Sequence, residues 1–423
     1  MERRKGRSAE EKKAEINSSA RAWVVAIVAI LASILISVNN NKLPATATLV
    51  LPALGMDTGQ MSFLMSLNGY VGFVLAFFAA SIIVKFGTKK ATLMVLICAL
   101  VGAAISAFAQ TYELLVVGRL IEGVGYSCIG TVIPVLFSEW FPPSKRGVPN
   151  GIFSVWVPLG SLFIMGTSGF FFNVGDPSTY HNVFWFVVVL LAVITVVWVL
   201  AVHQPEHNYL EAEGDSSEPA KVSEGFKSLS VWVAMIAFAA FSLGTACVMN
   251  FETTYMVQTM GMDQGAANGT FNIVNIAVII GGVIIGFVMN AVTKTGPRLI
   301  ILVVASIVLG VSFTTAYTVT AGSFTLWAIV FGLSNGIVPA IFFTMVAEIA
   351  PKPELASVSA TLMSLGQCVG GILFGVVGVI VASGWGAATG ILAAAGIVLA
   401  LGSIALLIIL KARARKRAGV EQA

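Results

Sequence analysis

Four charged side chains stand inside apolar stretches that are long enough to cross a membrane. They are Lys42, Arg119, Glu122 and Glu252. A charged group at the centre of a bilayer costs at least about 2.5 kcal/mol, so such residues normally face a cavity or a partner. Two cations and two carboxyls of this kind could bind an anionic group and carry a proton. They are therefore the first candidates for a functional site.

In the fourth apolar stretch, Arg119, Glu122 and Tyr126 are spaced i, i+3 and i+7. A helix places these positions on one face. An Arg119–Glu122 pair could simply neutralise two buried charges. Alternatively, the guanidinium could bind a substrate carboxylate through two hydrogen bonds, with Glu122 as its counter-ion or as a proton carrier. We predict Arg119 and Tyr126 as substrate-binding residues and Glu122 as a proton-coupling residue.

The first apolar stretch ends in the sequence SVNNNKLP. Adjacent residues of a helix point about 100° apart, so asparagines 39–41 cannot all face one cavity on a regular helix. Either some of them contact neighbouring helices, or the helix opens near Pro44, which has no N–H for the carbonyl of Asn40. The cluster could join helices, with Lys42 reaching water, or it could form a polar site. We predict Asn41 and Lys42 as substrate-binding residues.

Composition indicates the elements that must position these side chains. The chain has 423 residues, of which 57% are hydrophobic and 10% charged, whereas soluble domains carry about 25% charged residues. Apolar stretches of the length that crosses roughly 30 Å of hydrocarbon recur along the chain. Barrel strands alternate in polarity, but VFWFVVVLLAVITVVWVLAV (183–202) is apolar throughout. We predict an all-α membrane protein with twelve transmembrane helices.

The basic residues indicate domain organisation and orientation. A long polar insert separates two groups of six predicted helices. The predicted segments are an N-terminal tail, a first bundle, a central loop, a second bundle and a basic tail, at 1–21, 22–203, 204–228, 229–410 and 411–423. All lysines and arginines except Lys42 and Arg119 fall on one side, in the tails, the insert and alternate loops. Such an excess marks the cytoplasmic side, so we predict a multi-pass protein of the cytoplasmic (inner) cell membrane with both termini in the cytoplasm.

The two halves of the sequence resemble each other. A shift of 209 residues aligns them across five helices without a gap, and matches occur in helices and loops alike. They include Asn41 with Asn250, Gly72 with Gly281, Lys85 with Lys294, Gly123 with Gly332, and Glu139 with Glu348. Two similar halves in parallel orientation are typical of transporters, whose substrate site lies between them near the midplane. We therefore predict two pseudo-symmetric six-helix bundles.

The seventh apolar stretch carries the sequence NFETTYMVQ and is the repeat equivalent of the first. Glu252 lies one position from the repeat partner of Lys42, so we expect these two side chains to meet across the outer mouth and close a gate. Glu252 therefore competes with Glu122 for the proton-coupling role. We also predict Asn250 and Tyr255, together with Gln367 of the eleventh stretch, as substrate-binding residues.

Three motifs resemble those of a known family. VKFGTKK (84–90) occupies the place of an inner loop between the second and third helices, with Val84 where an aspartate is usual. GRLIEGVG (118–125) looks like a fourth-helix pattern with Arg119 in the arginine position, and FSEWFPPSKRG (137–147) resembles the end of that helix in organic-anion symporters. These motifs are similar to those of the major facilitator superfamily, and the resemblance covers all twelve helices. It implies a monomeric secondary transporter that works by alternating access without a cofactor.

Charged residues at the inner helix ends form a further predicted set. Glu139 and Glu348 lie at matching places beside basic loops, and Lys85 and Lys294 occupy matching loops. We predict these four residues and Arg146 as gating residues that form hinge contacts between conformations.

These observations favour a transporter of a small polar or anionic organic metabolite, coupled to H⁺ or Na⁺. The alternative is a proton-driven exporter of hydrophobic compounds, for which Phe153, Trp156 and Phe271 could line a pocket. The sequence contains no HExxH motif and no nucleotide-binding motif, so we expect no enzyme, no metal site and no nucleic-acid partner. The glycines of GQCVGGILFGVVG (366–378) indicate close helix packing.

Overall fold

The structure is a computed structural model that is almost entirely helical. It describes residues 9–76, 78–142, 145–205, 225–292, 294–352, 355–381 and 383–420. Most of the predicted central loop and parts of both predicted tails lie outside these described residues. The predicted domain boundaries therefore stay predictions.

Within the described ranges, twelve long helices form the two bundles, and the fifth helix consists of two segments. The first bundle contains α1 to α6, at Ala9–Ala45, Thr58–Leu75, Ala79–Phe108, Tyr112–Trp140, Gly147–Phe153 with Trp156–Thr167, and Tyr180–Ala201. The second contains α7 to α12, at Leu229–Met260, Gln264–Ala291, Thr295–Thr315, Phe324–Thr344, Ala356–Val381 and Trp385–Val420. The predicted all-α fold of two six-helix bundles is confirmed.

Among the described residues, eleven helices are long and apolar enough to cross a membrane. The helix outside this group is α2, which has 18 residues and carries polar side chains such as Gln60 and Asn68. It is packed between α4 of its own bundle and α11 of the other. Contact with protein on both sides allows this helix to be less apolar than its neighbours.

The connection between α2 and α3 differs from the predicted one. The sequence predicts one helix over 61–84 and the next over 91–110, but α2 ends at Leu75 and the next helical segment begins at Ala79. That segment is interrupted at Gly87, where φ is +73°. Glycine adopts this left-handed conformation without the steric cost that other residues incur. The helical geometry is therefore broken at the glycine of the VKFGTKK motif, where two helical pieces meet at a kink inside the segment Ala79–Phe108.

Helix α1 does not open at its asparagines. It stays helical through Pro44 to Ala45, and a short helix, Ala47–Ala53, follows. The side chain of Asn40 bonds to Arg119 of α4 and Asn68 of α2, whereas Asn39 and Asn41 bond to Lys42 and Ser37 of α1 itself. The structure therefore supports the interpretation in which some of these asparagines contact neighbouring helices, and Asn40 is the one that does.

The two bundles meet at one end of the molecule. We call the end that carries the start of α1 and the end of α12 the terminal end, and the opposite one the distal end. Near the distal end, Thr58 Oγ1 donates to Gly378 O at 3.1 Å and Ser62 Oγ to Gly375 O at 2.8 Å, which joins α2 to α11. Asn268 Nδ2 of α8 donates to Ala45 O of α1 at 2.8 Å.

Towards the terminal end, α4 and α11 present exposed positions that include Gly130, Thr131, Ser364 and Gln367. A Cβ added at Gly130 would have no neighbour within 4 Å. The bundles are therefore closed against each other at the distal end and apart on the terminal side.

The glycines of α11 act as the sequence predicts. A Cβ at Gly366 or Gly370 would overlap the backbone of α7, and one at Gly375 or Gly378 would overlap serines of α2. Small residues let helix backbones approach closely in a membrane. Helix α11 is therefore in close contact with both bundles at once.

Candidate functional site

Lys42, Arg119 and Glu122 form one buried group, which we call the charged cluster. Glu122 Oε1 accepts hydrogen bonds from Lys42 Nζ at 2.6 Å and from Ser106 Oγ at 2.7 Å. Glu122 Oε2 accepts from Arg119 Nη1 at 2.8 Å. None of the three charged side chains is more than 2% exposed. The cluster therefore lies inside the first bundle, away from water.

Four helices position the charged cluster. Arg119 and Glu122 stand one turn apart on α4, Lys42 comes from α1, and Ser106 comes from α3. Gly118 allows α3 and α4 to approach, because a Cβ there would overlap Ser106 Oγ and the α3 backbone. On the α6 side, Lys42 Nζ lies 5.0 Å from the centre of the Phe184 ring, a favourable distance for a cation–π contact.

Amide groups of α1 and α2 extend the charged cluster. Lys42 Nζ donates to Asn39 Oδ1 at 2.5 Å, and Arg119 Nη2 donates to Asn40 Oδ1 at 3.0 Å. Asn68 Nδ2 of α2 also donates to Asn40 Oδ1. The network thus runs without interruption from the buried lysine to two asparagines that are only partly buried.

The charged cluster contains two cations and one carboxylate, so one positive charge has no counter-ion within it. A buried charge is costly unless it is paired and hydrogen-bonded. Neutral amide oxygens of Asn39 and Asn40 solvate the cations but bring no charge. An anion placed next to Arg119 would complete the pairing. The arrangement is therefore chemically suited to bind a small anionic group.

The expected Lys42–Glu252 gate is wrong. Lys42 pairs with Glu122 because its side chain leaves α1 on the side of α4 and α6. Glu252 of α7 is 1% exposed, and neither of its carboxylate oxygens has a hydrogen-bond partner among the described residues. The nearby hydroxyls of Tyr255 and Tyr317 donate to the backbone carbonyls of Val319 and Cys247. The structure therefore shows two separate acidic positions, one in each bundle.

The other predicted substrate-binding residues are dispersed. Asn41 and Asn250 donate to carbonyls one turn back on their own helices, at 2.9 and 2.8 Å. Tyr255 is buried within the second bundle, and Gln367 is exposed on α11. Tyr126 is partly buried, with its ring 5.5 Å from that of Trp156. The structure thus unites Lys42 and Arg119 with Glu122. Tyr126 lies within electrostatic range of Arg119 on α4, whereas Asn41, Asn250 and Tyr255 form their hydrogen bonds elsewhere.

The predicted gating residues lie at the terminal end and contact their own bundles. Glu139 Oε2 accepts from Thr88 Oγ1 at 2.5 Å, and Glu348 pairs with Arg298 at 3.2 Å. Arg146 donates to the carbonyls of Ser138 and Phe141 at 2.7 and 2.8 Å, which caps the end of α4. Lys85 and Lys294 are exposed.

Four members of the network are not among the residues predicted from the sequence. They are Asn39, Asn40, Asn68 and Ser106. The run of three asparagines beside a lysine was a usable signal for Asn40. Ser106 is an ordinary small residue in an apolar helix, and only the fold shows that its hydroxyl reaches Glu122.

Two helical bundles that enclose buried, incompletely paired charges are the arrangement expected of a secondary membrane transporter. A family model described as the Major Facilitator Superfamily matches residues 22–375, so the chain belongs to this family. The predicted membership is confirmed, and the chain is a multi-pass membrane transporter, not an enzyme.

Curated relatives are transporters with varied substrates. The chain is 29% identical over 153 residues to the nitrate/nitrite transporter NrtP of Picosynechococcus, a match that covers 34% of this chain and 28% of the relative. It is 34% identical over 91 residues to H(+)/hexose cotransporter 2 of Parachlorella kessleri, covering 22% and 17%. It is 32% identical over 105 residues to multidrug resistance protein 3 of Bacillus subtilis, covering 24% and 19%. The matches span less than a third of each relative.

Solved structures share the fold. A bacterial homologue of the human lysosomal transporter Spinster, in an inward-facing and occupied conformation, superposes with a TM-score of 0.67 at 13% identity, covering 92% of this chain and 96% of that one. A single-site mutant of the nucleoside transporter NupG superposes with a TM-score of 0.68 at 15% identity, covering 92% and 99%.

Proposed function

We propose that this protein is a secondary transporter that moves a small organic anion across the cytoplasmic membrane together with protons. The observation that carries the proposal is the charged cluster, with its one uncompensated positive charge. An anionic substrate supplies the missing negative charge, so its binding neutralises the excess positive charge buried in the first bundle. The similarity to a nitrate/nitrite transporter over 153 residues supports an anionic substrate.

Transport proceeds by alternating access between the bundles, with the protein acting as a monomer. The basic residues on the terminal side favour a cytoplasmic location for that end and for both termini. With this orientation, distal closure and terminal-side separation correspond to an inward-open state. Lys85, Glu139, Arg146, Lys294 and Glu348 all lie at the end that must close when the distal end opens, which supports their role as gating residues.

Proton coupling is assigned to the two buried carboxyls, Glu122 and Glu252. Glu122 already has two cations and a hydroxyl as partners, so a proton there would have to displace them. Glu252 has no partner among the described residues, and a proton or another cation is required to offset its charge when it is ionised. The similarity to a proton/hexose cotransporter supports H⁺ as the coupling ion.

An export function for hydrophobic compounds is the second candidate. The rings of Tyr126, Trp156 and Phe153 form a connected group, with centroid distances of 5.5 and 6.0 Å. Of these rings only Tyr126 is more than 9% exposed, so an apolar molecule would contact the group chiefly there. The similarity to a multidrug resistance protein over 105 residues favours this alternative. Phe271 does not contribute to an open pocket, because it is fully buried.

Uptake into proteoliposomes separates the candidates. We expect saturable uptake of one of a panel of radiolabelled carboxylates. A proton gradient directed into the liposomes, with the more acidic solution outside, should accelerate it. Arg119→Gln should abolish it, Arg119→Lys should retain only a fraction because the two-pronged guanidinium is lost, and Lys145→Gln at the surface serves as the charge-removal control. Flux of a lipophilic cation that survives Arg119→Gln and is lost in Glu252→Gln would instead support export.

A further inference from the structure

Two hydrogen-bond donors in the first bundle converge on a single neutral oxygen. Arg119 Nη2 lies 3.0 Å from Asn40 Oδ1, and Asn68 Nδ2 donates to the same atom. A guanidinium and an amide N–H that point at one position form an arrangement that favours an oxyanion. Here that position holds an uncharged amide oxygen, although the charged cluster next to it lacks one negative charge.

The orientation of the Asn68 amide is fixed by its surroundings. Asn68 Oδ1 is buried without a hydrogen-bond partner in the described part of the chain, and it faces Gly123 of α4, where an added Cβ would lie 3.4 Å from it. A flipped amide would place two oxygens against each other at Asn40. The N–H of Asn68 is therefore held towards the point of convergence, at the cost of an unsatisfied carbonyl. A buried carbonyl left without a hydrogen bond is destabilising, which calls for an explanation.

Asn40 separates Arg119 from the space between the bundles. Arg119 is 1% exposed, whereas Asn40 and Asn68 are partly exposed. Gly69, which follows Asn68, is in contact with Cys368 and Gly371 of α11. The Asn40–Asn68 pair therefore lies where α1, α2 and α4 meet the second bundle, next to the region that opens on the terminal side.

We propose that Arg119 Nη2 and Asn68 Nδ2 form the oxyanion subsite of this transporter, and that Asn40 Oδ1 occupies it in place of the substrate. This rests on the proposed anion transport. An entering carboxylate or comparable small oxyanion displaces the Asn40 amide oxygen, accepts both hydrogen bonds and neutralises the uncompensated charge. Asn68 is then a substrate-binding residue, and Asn40 is an internal competitor that fills the subsite between transport cycles.

A tethered carboxylate tests the subsite without knowledge of the substrate. Asn40→Asp places a negative charge where the two donors converge, with no change in size. We expect the purified full-length variant to melt about 2 °C or more above the wild type, because it carries its own counter-ion. The matched control is Asn41→Asp, one residue along α1, whose amide donates to Ser37 O and Oγ. That variant loses donors, gains no cation and should melt below the wild type.

Anion titrations then separate the subsite from the function. Melting temperature is recorded against sodium formate, acetate, lactate and nitrate, with sodium chloride at equal ionic strength. Asn40→Ala should lower the half-saturating concentration of the stabilising anion several-fold, and Asn68→Ala should raise it about tenfold. If both residues had only a structural role, the two alanine substitutions would change the half-saturating concentration in the same direction.

The outcomes are distinguishable. If Asn40→Asp melts lower, as Asn41→Asp does, the subsite is overturned, whatever the anions do. If an anion stabilises the wild type and both alanine variants equally, anion binding stands and the subsite fails. If no anion of the panel raises the melting temperature more than chloride does, while Asn40→Asp is stabilised, the oxyanion subsite stands and the proposed substrate class is contradicted.

Discussion

The two bundles share a fold but place their buried charges differently. In the first bundle, the charged cluster is linked by ion pairs of 2.6 and 2.8 Å. The positions 209 residues further on hold Phe251, Ala328 and Phe331, all buried. In the second bundle, Glu252 is buried without a partner among the described residues, and its own equivalent is Leu43. The halves therefore retain the same helix arrangement, although neither set of charges has a counterpart in the other half.

This difference separates two tasks. A bundle with an excess buried positive charge suits an anion, and a bundle with a buried carboxyl that has no partner among the described residues suits a proton. If each bundle carried both the cations and the carboxyl, the opposite charges could pair directly within one bundle. Because they lie in different bundles, their charges can be coupled through the relative position of the bundles, which is the variable that changes in alternating access.

The largest effect should come from removing the carboxylate of the first bundle. Glu122→Gln leaves two cations buried without a counter-ion, and breaking a buried pair in this way costs about 3–5 kcal/mol. We expect a large fall in melting temperature and poor yield of folded protein. Glu348→Gln is the control, because its pair with Arg298 is partly exposed and such pairs contribute about 0–1 kcal/mol. Equal losses in both variants would contradict the central place of Glu122.

A smaller effect should follow from separating the helices that enclose the charged cluster. Gly118→Ala on α4 places a methyl group against Ser106 Oγ and the backbone of α3, and overpacking of this kind costs about 1–3 kcal/mol. Gly130→Ala, on the same helix, meets nothing within 4 Å and should be neutral or slightly stabilising, because alanine favours helix. Thermal unfolding of the two variants provides the comparison, and a Gly118→Ala protein as stable as Gly130→Ala would argue against tight α3–α4 contact.

The fold could be predicted because its signals do not depend on side-chain packing. Apolar length and basic loops follow from the membrane environment, and the 209-residue repeat indicates two similar halves; together they were sufficient for two six-helix bundles. The Arg119–Glu122 pair was also predictable, because both residues lie one turn apart on one helix. The partner of Lys42 could not be predicted, because it depends on the direction in which the long side chain leaves α1. From the sequence alone, both Glu122 and Glu252 were possible partners.

The remaining site residues could not be predicted for a related reason. Asn41 and Asn250 are equivalent in the repeat, yet both donate to their own helices, and repetition alone does not distinguish a helix-stabilising amide from a binding one. Asn40, one residue away, contacts Arg119 because of a rotation of about 100° along the helix. Ser106 and Asn68 join the network through the packing of α2, α3 and α4, which no local pattern encodes.

The smallest effect on stability should come from the carboxyl of the second bundle, and it sharpens the contrast between the halves. Glu252→Gln keeps the size of the side chain and removes a group that has no partner to lose among the described residues. We therefore expect a melting temperature no lower than that of the wild type, unlike Glu122→Gln. In proteoliposomes, accumulation driven by a pH gradient should be lost, while exchange of labelled for unlabelled substrate at equal pH should persist, because exchange requires no net movement of the proton. Retained proton-driven accumulation in Glu252→Gln would transfer the coupling role to Glu122 and place both tasks in the first bundle.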